Sequence, residues 1–241
     1  RATRLLGHLS LHDKDYAATV RLGVSTVTDD AEGDATGITD ASGIDDEAII
    51  AAMARQTGEI QQVPTAVSAI KINGQRAYAK VRAGEDVVLK PRGVTVSRFE
   101  ATEIRRHEEV IDVDVEVTCS SGTYVRALAR DVGADLGVGG HLTALRRTRI
   151  GPFDLTAACP DIFADDAVAP TPMTMAEAAE LSFPVVEVTD DQEAAIRVGR
   201  RLDLNVPADV TAMVARTGEM LALYRPDGEK EERSRAICVL V

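Results

Sequence analysis

The fold of this chain is set by residues 110–136, which read VIDVDVEVTCSSGTYVRALARDVGADL. In the first ten of these residues, apolar side chains alternate with Asp, Glu and Thr, which is the period of a strand with one buried and one wet face. After Gly122 the apolar side chains recur at helical spacing to the end of the segment. The segment therefore predicts a strand, a glycine turn and a helix, with Thr123, Tyr124 and Arg126 in the first helical turn, where polar recognition is favoured.

Weaker patterns on both sides of this segment indicate the other elements. On its N-terminal side we predict a strand at 16–22, a long loop at 26–44, a helix from Asp45 to about Gly58, a strand at 67–72, a short helix at 75–82 and an extended piece at 87–89. On its C-terminal side we predict a basic strand at 141–150, a linker at 164–172, helices capped by Thr174 with Glu177 and by Thr189 with Gln192, and strands at 212–215, 220–224 and 236–241.

The composition fits a soluble protein with an ordinary core. The chain has 241 residues, of which 45 % are hydrophobic, enough for one large domain and a small appendix. No apolar run approaches the roughly 18 residues that span a bilayer, and the first residues lack a signal-peptide pattern, so a cytoplasmic protein is expected. Cys119, Cys159 and Cys238 are widely spaced and are expected to be reduced thiols. No histidine has metal-ligand spacing, so no metal is expected.

The net charge of −12 argues at first against a nucleic-acid partner. The charge is uneven, however. Residues 71–149 carry 14 basic and 11 acidic side chains, whereas residues 1–70 carry 5 and 11 and residues 150–241 carry 8 and 17. Only the middle of the chain is net positive, which indicates either an RNA footprint or ordinary scatter on an acidic protein.

Two stretches combine cationic and aromatic residues. Tyr124 can stack on a flat base and Arg126 offers a fork for a carboxylate, but spacing alone favours a buried tyrosine and a surface arginine. Lys71 and Tyr78 stand on either side of a glycine turn, a combination that RNA-binding loops use. No P-loop and no Gly-x-Gly-x-x-Gly motif opens a helix, which weakens nucleotide-hydrolase and dinucleotide-binding hypotheses.

A third stretch, residues 141–149, is rich in arginine. Arg146, Arg147 and Arg149 suit contacts to phosphate, and Leu145 among them could pack on a base. A solvated basic strand with Leu145 in the core is the alternative. The spacing does not decide between the two.

Six motifs follow one another along the chain: Tyr16 with Arg21-Leu22-Gly23, Thr28 to Gly33, Ser68-Ala69-Ile70-Lys71, Tyr78, Ser120 to Arg126, and His141 to Arg147. Together they resemble the TruB family of tRNA pseudouridine synthases. The resemblance covers roughly residues 1–155. It implies an α+β fold, with a mixed, largely antiparallel sheet and flanking helices, followed by a small β-rich domain. The implied organisation is a catalytic domain at 1–163, a linker and short helix at 164–185, and a PUA-like domain at 186–241, which matches only in outline.

The family resemblance implies that uridine 55 in the T loop of tRNA is isomerised to pseudouridine. The uracil is detached, rotated and rejoined to the ribose through carbon 5, without cofactor or metal, after the nucleotide is flipped into a cleft. The implied partner is the T-stem loop of tRNA. No membrane and no protein partner is implied, and a monomer is expected. The expected RNA-binding residues are Lys71, Tyr78, Arg146, Arg147 and Arg149.

The resemblance also implies roles for four pocket residues. Tyr16 matches the tyrosine that stacks on the flipped base and assists proton transfer. Tyr124 matches a tyrosine lining the uridine pocket, and Leu145 matches an apolar pocket position. Arg126 matches the arginine that pairs with the catalytic aspartate and keeps it ionised. Tyr16 and Arg126 are thus the expected catalytic residues in this sequence.

One part of the family pattern is missing. The nucleophilic aspartate of the family lies in a Gly-x-Leu-Asp-Pro motif, which would precede Arg1, and Asp29 and Asp30 belong to a different motif and are not assigned that role. The chain is therefore expected to be N-terminally truncated and inactive alone. One alternative is a non-catalytic RNA-binding or tRNA-chaperone protein that retains the fold. Another, a guide-RNA-dependent relative, would be expected to carry basic extensions that this acidic chain lacks.

Overall fold

The computed structural model describes residues 1–10, 12–65, 71–72, 75–76, 89–158, 170–228 and 232–241. These residues form two compact units, one of residues 12–150 and one of residues 1–11 with 151–241. The units divide the chain at other points than the boundaries at 163 and 185 that we predict for its domains, and those boundaries remain a prediction.

The elements are numbered in chain order over the described residues. The helices are α1 (Thr3–Leu9), α2 (Asp46–Arg55), α3 (Val125–Asp135), α4 (Met175–Ser182) and α5 (Asp190–Arg197), with a 3-10 turn at Leu155–Ala157. The strands are β1 (Lys14–Leu22), β2 (Val24–Thr26), β3 (Ala35–Ile38), β4 (Gly58–Gln62), β5 (Lys71–Ile72), β6 (Gln75–Arg76), β7 (Arg92–Arg106), β8 (Ile111–Cys119), β9 (Gly140–Ile150), β10 (Phe153–Asp154), β11 (Val185–Val188), β12 (Thr211–Ala215), β13 (Met220–Pro226) and β14 (Ser234–Val239).

Strands of the larger unit form an antiparallel sheet in the order β9-β1-β8-β7-β4. The pairs β2–β3 and β5–β6 are separate hairpins. The alternation predicted for β8 is confirmed, since its apolar side chains from Ile111 to Cys119 are at most 2 % exposed. They pack in one core with residues of α2 and α3. Burial of this face fixes the register of β8 and β1, because a slip of one residue would turn the apolar side chains to water.

The other face of the sheet carries paired charges. Arg21 of β1 holds Asp112 of β8 through two hydrogen bonds of 2.8 and 2.7 Å. Arg105 donates to Asp114, and together with a hydrogen bond from Thr19 it lowers the pKa of that carboxyl to about 2. These arginines are neutralised by their own sheet, so they add little to a positive RNA surface.

The smaller unit is rich in β structure, as predicted. Its sheet has the order β11-β12-β13-β14, with β11 parallel to β12 and the other pairs antiparallel. Tyr224 is fully buried, and its hydroxyl donates to the carbonyl of Arg200 at 2.6 Å. Capping boxes open α4 and α5 at Thr174 and Thr189, which confirms both predicted helix starts.

Some predicted elements are wrong. Residues 26–44 are not one loop, because β3 lies within them and pairs with β2. Residues 75–76 form a strand and not the start of a helix. Helix α1 and strands β2, β4, β7, β10 and β11 have no predicted counterpart. Of the predicted elements at 67–72, 75–82 and 87–89, residues 67–70, 77–82 and 87–88 lie outside the described residues, and so does most of the predicted linker.

The packing of α3 against the start of β9 yields a stability prediction. A Cβ at Gly133 would lie 2.2 Å from the backbone of Gly139 and Gly140, whereas a Cβ at Gly7 of α1 would meet no atom of the described residues within 4 Å. We expect Gly133→Ala to destabilise the larger unit by about 2 kcal/mol, because overpacking outweighs the gain of about 1 kcal/mol in helix propensity. Thermal unfolding followed by circular dichroism would show it, with Gly7→Ala as the matched control. Equal melting temperatures for the two variants would contradict this packing.

Candidate active site

The start of α3 forms one side of the site. Gly122 has φ of +92°, a left-handed conformation that glycine adopts without strain and that lets the chain turn from β8 into the helix. Tyr124 is the N-cap residue, and its own side chain makes no capping hydrogen bond. The side chain of Gln62 contacts its backbone instead, accepting from the Tyr124 N–H at 2.8 Å and donating to its carbonyl at 3.1 Å. Arg126 is the second residue of the helix.

A tight loop between β2 and β3 forms the opposite side. Asp29 has φ of +58°, a region in which Asp is among the few tolerated residues besides glycine. Its carbonyl accepts from the N–H of Leu142 at 3.1 Å, which ties the loop to β9. Gly33 closes the loop, because a Cβ there would lie 2.3 Å from the hydroxyl of Thr28. The loop thus has a fixed position relative to the sheet.

Two consecutive aspartates of this loop meet two arginines one helical turn apart. Arg126 Nη1 lies 2.6 Å from Asp30 Oδ2, and Arg130 Nη1 lies 3.3 Å from Asp29 Oδ2. Desolvation opposes ionisation of Asp30, but hydrogen bonds from Thr28 and the Glu32 N–H and the charge of Arg126 leave its pKa below the usual value. Burial raises the pKa of Asp29, although the charge of Arg130 opposes this. Asp30 is therefore ionised at neutral pH and holds Arg126 in place.

The Arg126–Asp30 pair faces a cleft of about 400 Å³. Leu145 also lines the cleft and is 48 % exposed, so its apolar surface is open to a ligand and is not in the core. The structure therefore brings together two residues, Arg126 and Leu145, that were predicted separately from sequence. The other described residues that line the cleft are Ala31 and Glu32 of the loop and Leu142, Thr143 and Ala144 of β9.

Tyr16 lies on β1 between two neighbouring strands. It stands opposite Val117 of β8 and Arg147 of β9, and Leu145 stands opposite Ala18 two residues further along β1. Tyr16, Leu145 and Arg147 therefore share one face of the sheet. Burial raises the pKa of the Tyr16 phenol, although a hydrogen bond from Arg147 acts in the other direction. Arginine carries donors only, so Arg147 cannot accept the phenolic proton of Tyr16.

The other predicted site residues have different positions. Neither Tyr16 nor Tyr124 lines the 400 Å³ cleft, and Tyr16 lines a smaller depression of about 180 Å³. Arg149 is held by Asp15 through hydrogen bonds of 2.6 and 2.8 Å, so its charge is neutralised. Arg146 and Arg147 are exposed and form no ion pair with a described residue. Lys71 belongs to β5, but its side chain and all of Tyr78 lie outside the described residues.

Four residues of the site were missed by the sequence analysis. Asp29 and Asp30 were placed in a family motif but given no partner, and Arg126 was paired only with an aspartate outside the chain. The Thr28-Asp29-Asp30 motif was the available signal for them. Gln62 and Arg130 carry no comparable local signal, because their partners are distant in sequence.

Comparisons with known proteins show the family of this chain. The sequence model for the N-terminal domain of TruB family pseudouridylate synthases matches residues 1–125, and that for the C-terminal domain of tRNA pseudouridylate synthase B matches residues 126–162. The chain belongs to the TruB family. The TruB relatives include tRNA pseudouridine synthase B of Cutibacterium acnes, which is 84 % identical over 241 residues, covering 100 % of this chain and 82 % of the relative. The enzyme of that name from Mycobacterium sp. (strain KMS) is 51 % identical over 243 residues, covering 100 % of this chain and 80 % of the relative.

Solved structures support the predicted TruB fold. A chain in "Crystal Structure of a Cbf5-Nop10-Gar1 Complex" superposes with a TM-score of 0.61 at 25 % identity, covering 100 % of this chain and 68 % of that one. A chain in "Structure of H/ACA RNP bound to a substrate RNA containing 2'-deoxyuridine" superposes with a TM-score of 0.58 at 23 % identity, covering 99 % of this chain and 67 % of that one. The α+β class with a large antiparallel sheet and a C-terminal β domain is thus confirmed.

The described residues contain no group of three or more His, Cys, Asp and Glu side chains that could hold a metal ion. No helix within the same ranges is long and apolar enough to cross a membrane.

Proposed function

We propose that this protein isomerises a uridine of tRNA to pseudouridine. The observation that carries the proposal is the Arg126–Asp30 pair beside Leu145 in one cleft, in a chain of the TruB family. Asp30 holds the Arg126 cation in a fixed position, where its charge would keep a nucleophilic carboxylate ionised. Leu145 supplies an apolar surface for a base. Tyr16 and Arg147 on the same sheet face supply a flat ring and a donor.

The reaction assigns a distinct task to each group. The bond from ribose carbon 1′ to uracil N1 breaks, a bond to uracil carbon 5 forms, carbon 5 loses a proton and N1 gains one. Atoms and electrons balance without a redox partner, so no cofactor is needed. Arg126 would orient the nucleophilic carboxylate and keep it charged. Tyr16 would stack on the flipped base, and its phenol, kept protonated by burial, would act in proton transfer.

The position of Arg126 also supports a second carboxylate in the cleft. Only its Nη1 makes hydrogen bonds to described residues, to Asp30 and to the carbonyl of Thr28. The guanidinium has five N–H donors, so a further edge can hold a second carboxylate. We propose that this is the aspartate of the Gly-x-Leu-Asp-Pro motif, which does not occur in these 241 residues. Alone, the 241-residue chain should therefore bind tRNA weakly and not turn it over.

We further propose that the target is uridine 55 in the T loop, that the enzyme acts as a monomer in the cytoplasm, and that Arg146 and Arg147 contact the RNA backbone. Both arginines are exposed and lack an acidic partner among the described residues, unlike Arg149. Lys71 and Tyr78 are proposed to contact the T-stem loop on the strength of the family resemblance alone.

The substrate position can be tested directly. An unmodified tRNA transcript would be incubated with the full-length gene product, and pseudouridine would be mapped by carbodiimide labelling and primer extension. We expect a single stop adjacent to uridine 55 and none after incubation with the 241-residue chain. A stop elsewhere would refute the assigned position. Tight binding of tRNA by the full-length product without any stop would favour the alternative, a non-catalytic RNA-binding protein.

A further inference from the structure

Gln62 lies at the end of β4 and has an unusual environment for its type. Gln62 is only 2 % exposed. A buried side-chain amide is stable only when its donor and its acceptor both form hydrogen bonds. Here both are used on one residue, since the Tyr124 N–H donates to Oε1 at 2.8 Å and Nε2 donates to the Tyr124 carbonyl at 3.1 Å. Gln62 thus holds the two peptide groups that flank the Cα of Tyr124.

These two hydrogen bonds of Gln62 lie at the start of α3, where the helix has no side-chain cap of its own. Tyr124 makes no side-chain capping bond, and the first turn of α3 carries no acidic residue. Without Gln62 the Tyr124 N–H would lose its partner, and the direction in which α3 begins would be less restricted. Arg126 follows two residues later, so its guanidinium depends on that direction.

The residues after Gln62 hold neighbouring parts of the same site. The carbonyl of Val63 accepts from Arg130 Nη2 at 2.8 Å. Thr65 is fully buried and its side chain lies beside Asp29, next to the partner of Arg126, although its hydroxyl forms no hydrogen bond with a described residue. The segment 62–65 therefore bonds the helix that carries Arg126 and lies beside the loop that carries Asp30.

We propose that Gln62 is a positioning residue for the pseudouridine synthase reaction, fixing the peptide of Tyr124 and, through the start of α3, the guanidinium of Arg126. The inference rests on the proposed function. It assigns to Gln62 no contact with substrate. Its removal should therefore slow the chemical step more than it weakens RNA binding.

The chain offers a matched pair of variants to test this. Gln62→Met keeps the length and volume of the side chain but removes both hydrogen bonds, and Gln61→Met makes the same change at the neighbouring exposed position of β4. In the full-length gene product we expect Gln62→Met to lower kcat for tritium release from 5-labelled tRNA by about tenfold to hundredfold, with KM changed much less. Gln61→Met should match the wild type.

A second measurement separates positioning from loss of fold. Because Gln62 acts through Arg126, the double variant with Arg126→Lys should lose less than the product of the two single losses. Unchanged kcat per folded molecule in Gln62→Met, or losses that multiply independently, would overturn the inference and leave the proposed function intact. A wild type that releases no tritium would overturn both.

Discussion

Replacing Arg126 with alanine is expected to slow tritium release from 5-labelled tRNA by about 10²- to 10³-fold at saturating RNA. The variant removes the cation that lies 2.6 Å from Asp30 and that is proposed to hold the nucleophilic carboxylate. It would leave Asp30 and the nucleophilic carboxylate facing one cleft without their shared counter-charge, so the nucleophile would be both misoriented and harder to ionise. The full-length gene product is used, with kcat measured separately from the dissociation constant for tRNA.

Two further variants make this result interpretable. Arg126→Lys keeps the charge but not the planar fork, and we expect it to recover only part of the rate. Arg55→Ala removes an arginine of the same unit that pairs with Asp135 on the surface and does not line the cleft, so its rate should equal that of the wild type. A rate for Arg126→Ala within a few-fold of Arg55→Ala would disprove the role given to Arg126.

The second large effect is expected at Tyr16. Tyr16→Phe keeps a flat ring for the base but removes the phenolic proton, and we expect kcat to fall by about 10²-fold or more, the scale of general acid–base catalysis, with RNA affinity kept. Tyr16→Ala should lose the ring as well and therefore weaken binding of the flipped nucleotide. The measurements are single-turnover tritium release and tRNA binding for each variant.

Tyr224→Phe is the matched control for loss of a buried phenolic hydroxyl. The hydroxyl of Tyr224 bonds the carbonyl of Arg200 in the smaller unit, so its loss should cost about 1 kcal/mol of stability and leave turnover unchanged. If Tyr16→Phe behaved in the same way, with normal turnover and a lowered melting temperature, Tyr16 would be a structural residue and the proton-transfer role would be wrong.

The local pattern of apolar and polar residues predicted the elements that have one apolar and one polar face. In β8 the apolar side chains occupy every second position and are all buried, and the start of α3 follows from Gly122 and the helical stripe after it. The capping boxes at Thr174 and Thr189 were visible as three-residue spacings, because each box is made within one turn of chain. Such features depend on neighbours in sequence and can be found there.

The missed strands lack that clean division. β7 is long, but bulges between Val96 and Arg98 and between Ala101 and Glu103 shift its register against β8, and its charged side chains fall on both sides of the bulges. β3 exposes all four of its residues, so no apolar alternation marks it. A strand that is bulged or has no buried face carries no regular apolar alternation in its sequence.

The residues of the site also divide into those that the local sequence reveals and those that it does not. Residue types suited to a base and a carboxylate could be found at Tyr16, Arg126 and Leu145. The partner of Arg126 could not be found from the sequence, because Asp30 is 96 positions away. The contact of Gln62 with Tyr124 could not be found either, because the two residues are 62 positions apart. Those contacts exist only once the loop, β4 and α3 are packed together.

The most direct test of the central claim is the amount of tritium lost from tRNA labelled at carbon 5 of its uridines when it is incubated with the full-length gene product. A pseudouridine synthase acting on one uridine should release one tritium per tRNA and leave the base composition otherwise unchanged, and a tRNA lacking the target uridine should release none. Binding of tRNA with no tritium release would contradict the claim and identify the protein as an RNA-binding member of the family without this activity.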